Sequence, residues 1–391
     1  MKKSLLALGV LGAFAGAAHA QSSVTLYGII DAGLTYVNKT GGSLAGTGAT
    51  SKNIYFNNGN LQGSRWGLKG AEDLGGGLKA IFVLENGFNL GSGTLGQGGR
   101  MFGRQAYVGL SSATAGTLTI GRQYDSVVDF VGPYAVGSQW ATYAGAHPFD
   151  NDNLNNSFRV NNTVKYTSIN YNGFSAGGMY GFSNSANTNT AGTGFANNRA
   201  YSFGAGYANG PVSFGAGYLY IGSPGTNTTG VLASGDVNTP MNLGGAATSD
   251  KAWIAAAGGS YAFGPATLGL VYSHSVYQYV GGGSWKFDNA EINAKYMLTP
   301  ALQLGASYTY TWSTLNSVAS TIGSGSPKYH QVNLGVDYFL SKRTDTYLVG
   351  LWQHANNDAP GGAALNGLNG GNSYSNSTNQ FAVTAGIRHK F

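Results

Sequence analysis

The sequence predicts an all-β chain, a 16-stranded antiparallel transmembrane β-barrel, on three observations. The last segment alternates at every second residue. Phe381, Val383, Ala385, Ile387, His389 and Phe391 share one face, and Ala382, Thr384, Gly386, Arg388 and Lys390 share the other, the split expected of a strand between an apolar medium and water. Composition is the second: charged residues make up only 9% and aromatics 13%, with 64 glycines in 391 residues, whereas an average soluble protein carries about 25% charged residues. The third is a regular exchange of short and long connections, as in outer-membrane barrels with tight periplasmic turns and wide external loops.

Residues 1–20 read as a secretory signal peptide outside the fold. Lys2 and Lys3 form the positive start, Leu5 to Ala17 a short apolar core, and Ala18-His19-Ala20 a small-x-small cleavage site,. The apolar run is too short to cross about 30 Å of hydrocarbon. Residues 21–391 are then one barrel domain. Without Lys2 and Lys3 the 21 basic residues fall to 19 against 15 acidic ones, a net charge of +4. These charges are scattered singly, not gathered into a nucleic-acid patch. There is no cysteine, and a hydrogen-bonded barrel needs no disulfide staple. No stretch of 18 apolar residues follows the leader, which excludes membrane helices, and the regular alternation of 25 Tyr and 18 Phe excludes disorder,.

Along the chain, the first strand sets Val24, Leu26, Gly28, Ile30, Ala32 and Leu34 against Thr25, Tyr27, Ile29 and Asp31. In Ser64–Lys69, Trp66 and Leu68 oppose Arg65 and Lys69, and in Leu78–Glu85, Lys79 and Glu85 lie away from Leu78, Phe82 and Leu84. The run from Gln105 to Leu110 alternates poorly and assigns no face. Tight turns are expected at 73–77, 112–116, 170–173, 209–211, 263–265, 298–300 and 340–343, where Gly, Pro, Asn and Ser cluster between alternating runs. Long polar connections are expected at 38–60, 91–100, 124–157, 184–199, 222–250, 278–285, 313–327 and 355–379. Seven short and eight long connections join 16 strands, enough to enclose an aqueous channel instead of a core filled by side chains.

Several segments look familiar together: Ser23-Val-Thr-Leu-Tyr-Gly-Ile-Ile-Asp-Ala-Gly33, the run from Ser64 to Ala80, Gly103-Arg-Gln-Ala-Tyr-Val-Gly-Leu110, Gly121-Arg-Gln-Tyr124 and Gly386-Ile-Arg-His-Lys-Phe391. Over the whole mature chain this resembles the general porins of Gram-negative outer membranes, of the β-proteobacterial type. The resemblance implies a homotrimer and a third loop, here about 124–157, folded inward to narrow each pore. It also implies a basic constriction cluster at Arg65, Arg104 and Arg159. On the loop, Asp125 and Asp129 are four apart, a spacing that sets both on one face of a helical turn, and are read as the constriction-loop acids, either loop anchors or pore acids. The Pro-Glu-Phe-Gly loop tip of some relatives is missing. Phe391 is expected to serve as the C-terminal assembly signal for the outer-membrane assembly machinery. Outer-membrane lipids and lipopolysaccharide are the expected surroundings.

Guanidinium suits such a pore because it stays charged and pairs with carboxylate or phosphate in a fork, and rings of Arg or Lys favour anions. Arg100, Arg122, Lys69, Lys79 and Lys165 are further candidate wall cations. Among the mature histidines, His147, His274, His330, His354 and His389, no pair has metal-ligand spacing,. Asp150-Asn-Asp-Asn-Leu-Asn155 lacks the central Gly and closing Glu of a calcium loop,. No catalytic residue, metal or cofactor is expected. The reading is a passive diffusion channel for small hydrophilic solutes and ions with a modest anion preference. The rival classes are an enzyme barrel, which needs a nucleophile–base pair, and a surface adhesin using the long loops.

Overall fold

The computed structural model describes residues 23–391 apart from 187, 189–193, 234–235, 244–248, 317–321 and 369–370. The expected signal peptide, residues 1–20, lies outside the described residues. The chain runs through β1 (Ser23–Thr40), β2 (Ser51–Asn58), β3 (Arg65–Gly75), β4 (Leu78–Gly87), β5 (Gln105–Ser112), β6 (Gly116–Gln123), a short helix α1 (Ser126–Phe130), β7 (Val160–Thr167) and β8 (Phe174–Gly181). It continues through β9 (Arg199–Asn209), β10 (Val212–Gly222), β11 (Ser249–Phe263), β12 (Ala266–Tyr279), β13 (Ser284–Thr299), β14 (Leu302–Asn316), β15 (Lys328–Phe339) and β16 (Thr344–Ala355). A hairpin of β17 (Ala364–Leu368) and β18 (Gly371–Tyr374) precedes the last strand, β19 (Asn379–Lys390).

Each wall strand pairs antiparallel with its neighbours, and β1 closes the ring on β19, from Ile29 opposite Lys390 to Val37 opposite Ala382. Closure leaves no open edge, the condition for a sheet in hydrocarbon. The first long connection differs from expectation. The start of β1, Ser23 to Ile29, pairs with β3, while its later part, Ala32 to Thr40, pairs with β2. Segments β2 and β3 therefore occupy one wall position, broken at 59–64, and the ring counts 16 strands. The break is held by buried Asp31, whose Oδ2 accepts the backbone N–H of Leu61 and Gln62, each at 2.8 Å.

A second difference lies at 278–285, expected as a long connection. Strands β12 and β13 run to Tyr279 and from Ser284, and Gly281, Gly282 and Gly283 all take positive φ, so glycine makes a four-residue turn here instead of a loop. The seven expected tight turns fall between the strands anticipated.

The period-two reading holds. Val24, Leu26 and Leu34 are 59–65% exposed on the outer face of β1, while Asp31 and Thr35 are fully buried on the inner one. On β19, Phe381, Ile387 and Phe391 are exposed, and Ala382, Thr384 and Arg388 are buried.

Residues 124–159 form the longest connection and pack against residues of β9, β10, β12, β13 and β15. Helix α1 is capped by Asp125, whose Oδ1 accepts from the N–H of Val127 (2.9 Å) and Val128 (3.2 Å). The helix lies so close to β9 and β10 that a Cβ on Gly215 would stand 2.1 Å from the Phe130 carbonyl oxygen, and one on Gly217 2.9 Å from that of Ser126. Farther on, Val136 N–H donates to Glu291 (2.9 Å), Ser275 Oγ donates to Asn151 Oδ1 (2.7 Å), and Gln331 Nε2 donates to the Gly145 carbonyl (3.0 Å). Phe149 seats among Trp285, Phe287, Tyr329 and Tyr374 at ring-centroid distances of 5.3–6.2 Å.

Candidate functional site

Three arginines stand at equivalent places. Arg65 opens β3, Arg104 precedes β5 and Arg159 precedes β7, each at the head of a strand that runs from a long connection toward a tight turn. Alternation turns Arg65 inward, opposite Trp66 on β3, while Arg104 and Arg159 lie just before their strands and are buried. All three line one cavity of about 610 Å³, together with the 59–63 break, Tyr124, Asp129 and Ser157.

Their shared counter-charge comes from the wall. Arg104 Nε donates to Glu85 Oε1 at 2.7 Å, and Arg65 Nη1 lies 3.9 Å from the same oxygen. Tyr27 OH donates to Oε2 at 2.9 Å, and Tyr124 OH reaches Oε1 at 3.3 Å while accepting from Arg104 Nη2 at 3.1 Å. The Glu85 side chain is only 5% exposed, so it carries the partners a buried carboxylate requires. Arg159 stands apart from that carboxylate, with its Cζ 5.6 Å from the centre of the Tyr124 ring, a cation–π distance. Burial, then repulsion from Arg104, brings its guanidinium down to about 10, still charged at neutral pH. Three guanidiniums thus line the cavity, and Glu85 stands within reach of two of them.

The two expected loop acids separate. Asp125 is buried as the cap of α1 and accepts from Asn153 Nδ2 at 2.8 Å; burial pushes its carboxyl up to about 6. It anchors the loop and does not line the cavity. Asp129 does line it and pairs with Lys165 of β7.

Of the other candidate cations, Arg100 and Arg122 both turn to Asp236, at 2.6 and 3.5 Å. Lys69 lies 5.4 Å from the centre of the Tyr27 ring. Lys79 belongs to the tight-turn end of β4, opposite Asp73 and Ser111.

Sequence reasoning missed two features. Glu85 was legible as an inward charge on β4, but its role between two arginines depends on residues far apart in the chain. The second is His147, whose Nδ1 lies 2.6 Å from Asp152 and Nε2 3.2 Å from Glu291 of β13. Burial opposes the charged ring, but the Asp152 and Glu291 carboxylates outweigh it and raise its pKa to about 10. The same ring holds Asp152 below the usual carboxylate range despite its burial. No local spacing signals this contact. Among the described residues no cluster of His, Asp and Glu suits a metal ion.

Comparison with known proteins follows this geometry. The family model described as Gram-negative porin matches residues 7–359. An outer membrane porin protein of Bordetella pertussis is 34% identical over 427 aligned positions, covering all of both chains. The solved anion-selective porin from Comamonas acidovorans superposes with a TM-score of 0.71 at 27% identity, over 95% of this chain and all of its own. The trimer form of OmpT, an outer membrane protein of Vibrio cholerae, shares the fold, with a TM-score of 0.64 at 16% identity over 95% of this chain and 99% of its own.

Proposed function

The chain belongs to the Gram-negative porin family, and from that premise we propose that its channel passes small hydrophilic solutes by passive diffusion with a modest preference for anions. As a porin it is a channel of the outer membrane and not an enzyme. The observation that carries the anion preference is the cavity lined by Arg65, Arg104 and Arg159, of which Arg65 and Arg104 share the carboxylate Glu85 while Arg159 has none, and whose Asp129 is already paired with Lys165.

Magnitudes explain why the preference is modest. A unit charge about 6 Å away in water is worth roughly 0.7 kcal/mol, and physiological salt reduces this by about half at that distance. Two uncompensated guanidiniums then separate anions from cations by roughly tenfold, since about 1.4 kcal/mol is one decade. The named anion-selective neighbour is consistent with this sign.

In this reading residues 124–159 fold into the lumen and narrow it. The support is their bonding to inward side chains of β12, β13 and β15. Protein lining and water on that inner side are what allow irregular backbone at membrane depth. The working unit is a homotrimer, as the family resemblance implies. The terminal strand, ending at Phe391, carries the signal for outer-membrane assembly; its backbone closes the ring through mutual bonds with Gly28, both 3.1 Å.

The test is the reversal potential of purified protein in a planar bilayer under a salt gradient. An anion bias is expected, and Arg104→Ser should reduce it, because one of the two surplus charges is lost. A cation bias in the unmodified channel overturns the preference. Current steps in groups of three report the trimer; isolated single steps would exclude it.

A further inference from the structure

The arginine cavity has a neighbour of opposite character. A second cavity, of about 340 Å³, shares Gly59, Asn60, Tyr143 and Ser157 with it, so the two adjoin. Four asparagines line this second cavity: Asn57, Asn58 and Asn60 around the break between β2 and β3, and Asn238 of the connection after β10. Apolar patches come from Ala144, Phe149 and Val237. Among the described residues that line it, none carries a charge.

Segments far apart in the chain are bolted together around it. The Asn60 carbonyl accepts the Tyr143 N–H at 2.6 Å. Asn238 Nδ2 donates to the Asp150 carbonyl at 3.2 Å, and Asn366 Nδ2 donates to the carbonyls of Ala146 (3.0 Å) and His147 (2.8 Å). Gly367 takes a φ of +60° under the Tyr143 ring, where a Cβ would stand 1.9 Å from Cδ1. The wall is therefore set before any solute arrives. Its volume falls within the roughly 300–1,000 Å³ of small-molecule sites.

The polar groups it offers are of both kinds. Asn60 is 2% exposed; its Nδ2 donates to Tyr347 OH (3.0 Å) and the Asn57 carbonyl (3.3 Å), while its Oδ1 has no protein partner. A buried acceptor in that condition calls for a donor. Ser157 Oγ donates to Asp150 Oδ2 at 2.6 Å, so it accepts from Tyr143 OH at 2.5 Å. That order leaves the lone pairs of the Tyr143 oxygen as a second acceptor. Asn58 Oδ1 accepts the Gly91 N–H at 2.7 Å, which leaves its amide nitrogen to donate. A hydroxyl answers acceptor and donor alike, whereas an ammonium only donates and a carboxylate only accepts.

We propose that this cavity is a binding subsite for a neutral polyhydroxylated solute of monosaccharide size, with its hydroxyls on Asn58, Asn60 and Tyr143. The C–H face of the ring lies on the apolar patch of Ala144, Phe149 and Val237. Charge sorts solutes between the two cavities. Anions find guanidiniums in one; a neutral polyol finds amides and a phenol in the other. Because the cavities share a wall, a sugar held in the second narrows the path of ions through the first and lowers the current. The proposal rests on the chain being a channel and not on the sign of its selectivity.

The experiment follows the ion current of the full mature protein in a planar bilayer as glucose is added. A polyethylene glycol of matched size controls for viscosity. Glucose is expected to lower the current saturably, half-maximally on the order of 10 mM, a shallow affinity that lets the solute leave again. The glycol should give only a linear decline. Each variant is referred to its own sugar-free current. Tyr143→Phe and Asn60→Ala should each raise the half-saturating concentration about fivefold, the loss of one neutral hydrogen bond. Val237→Trp, which fills the cavity, should abolish saturation. Arg104→Ser should lower the anion bias and keep the glucose response. A glucose response no different from that of the glycol overturns the proposal. So does saturation that survives Val237→Trp but is lost in Arg104→Ser, which would assign the sugar to the arginine cavity. Reversal potentials separate the two readings: saturation in a cation-biased channel upholds the subsite and ends the anion preference, and a linear response in an anion-biased channel does the reverse.

Discussion

The two arcs of the barrel wall treat the same problem, inward polar side chains, in opposite ways. From β3 to β7 the inner face carries ions: Arg65, Glu85, Arg104, Arg122, Arg159 and Lys165. There the connection 124–159 stands off and leaves a cavity. From β12 to β15 the inner face is mostly Ser, Thr, Asn and Gln beside Trp285, Phe287 and Tyr329, and the same connection packs against it without a comparable gap. The difference is one of hydration. Amides and hydroxyls can satisfy one another once water is expelled, as Asn289 does with Ser273 (2.9 Å), Asn151 (3.0 Å) and Thr311 (2.7 Å). A guanidinium without its own carboxylate cannot. The surplus of cations over anions on the first arc therefore goes with its open water, while on the second the amides and hydroxyls, and a carboxylate, Glu291, that the loop answers with His147, let the loop dock.

The largest effect should come from removing the one anion on the charged arc. Glu85→Gln leaves Arg65 and Arg104 with no carboxylate partner near them. Breaking a buried pair in this way costs about 3–5 kcal/mol, to be read as a lower urea midpoint of the detergent-folded barrel, and the anion bias should rise. A variant as stable and as selective as the unmodified protein would mean that Glu85 does not organise the cluster.

On the docked arc, Phe149→Ala removes the ring held by Trp285, Phe287, Tyr329 and Tyr374. Loss of a buried aromatic costs about 3–5 kcal/mol, and here it falls on the docking of the loop. Conductance should become larger and noisier while selectivity stays put, because the arginine cluster is untouched. A selectivity change as large as that of Glu85→Gln would erase the contrast between the arcs.

How far these arcs were legible in the sequence follows from where the information sits. The wall was legible because strand faces repeat every second residue, and Asp31, Arg65, Glu85 and Arg388 all fell on the inner side assigned to them. The break at 59–64 was not, because Ser51, Lys52 and Asn53 show no apolar period and two half-strands share one wall position. Three glycines at 281–283 look like a loop to any rule that counts breakers, yet each takes the positive φ of a tight turn. The seat of α1 was half visible: Gly204, Gly206, Gly215 and Gly217 alternate with Ala on two adjacent strands, but only their partner explains why no side chain fits. The His147–Glu291 contact joins a loop to a strand far along the chain, and no spacing rule reaches that distance.

That contact gives the next prediction, a graded one. The pKa of His147 is raised from 6.5 to about 10 in the folded protein. Its contribution to docking is full below 6.5 and is lost as pH rises through 10,. The Asp152 carboxylate is shifted down, so its contribution is present above the ordinary carboxylate range and lost on strong acidification. Between these limits the latch is closed. Conductance noise or chymotryptic cleavage within 124–159 should therefore increase near pH 10, and His147→Gln should remove that transition while loosening the loop at neutral pH. An alkaline transition of the same size in the variant would assign it to other groups.

The smallest effect tests whether the loop or the wall sets the field. Asp129 faces the cavity and pairs with Lys165, with side chains 29% and 12% exposed. A partly exposed pair of this kind is worth at most about 1 kcal/mol, so Asp129→Asn should leave the unfolding midpoint nearly unchanged. It does release one cation beside the three arginines. At about 6 Å through water one further charge is worth roughly 0.7 kcal/mol before screening, so the reversal potential should move toward anions by less than in Glu85→Gln. Lowering the salt should enlarge the shift, because the Debye length grows from about 8 Å toward 30 Å on dilution. If Asp129→Asn shifts selectivity as far as Glu85→Gln does, the loop and not the charged arc governs the ions. If it shifts nothing even at low salt, Lys165 lies beyond their path and the field belongs to the wall arginines alone.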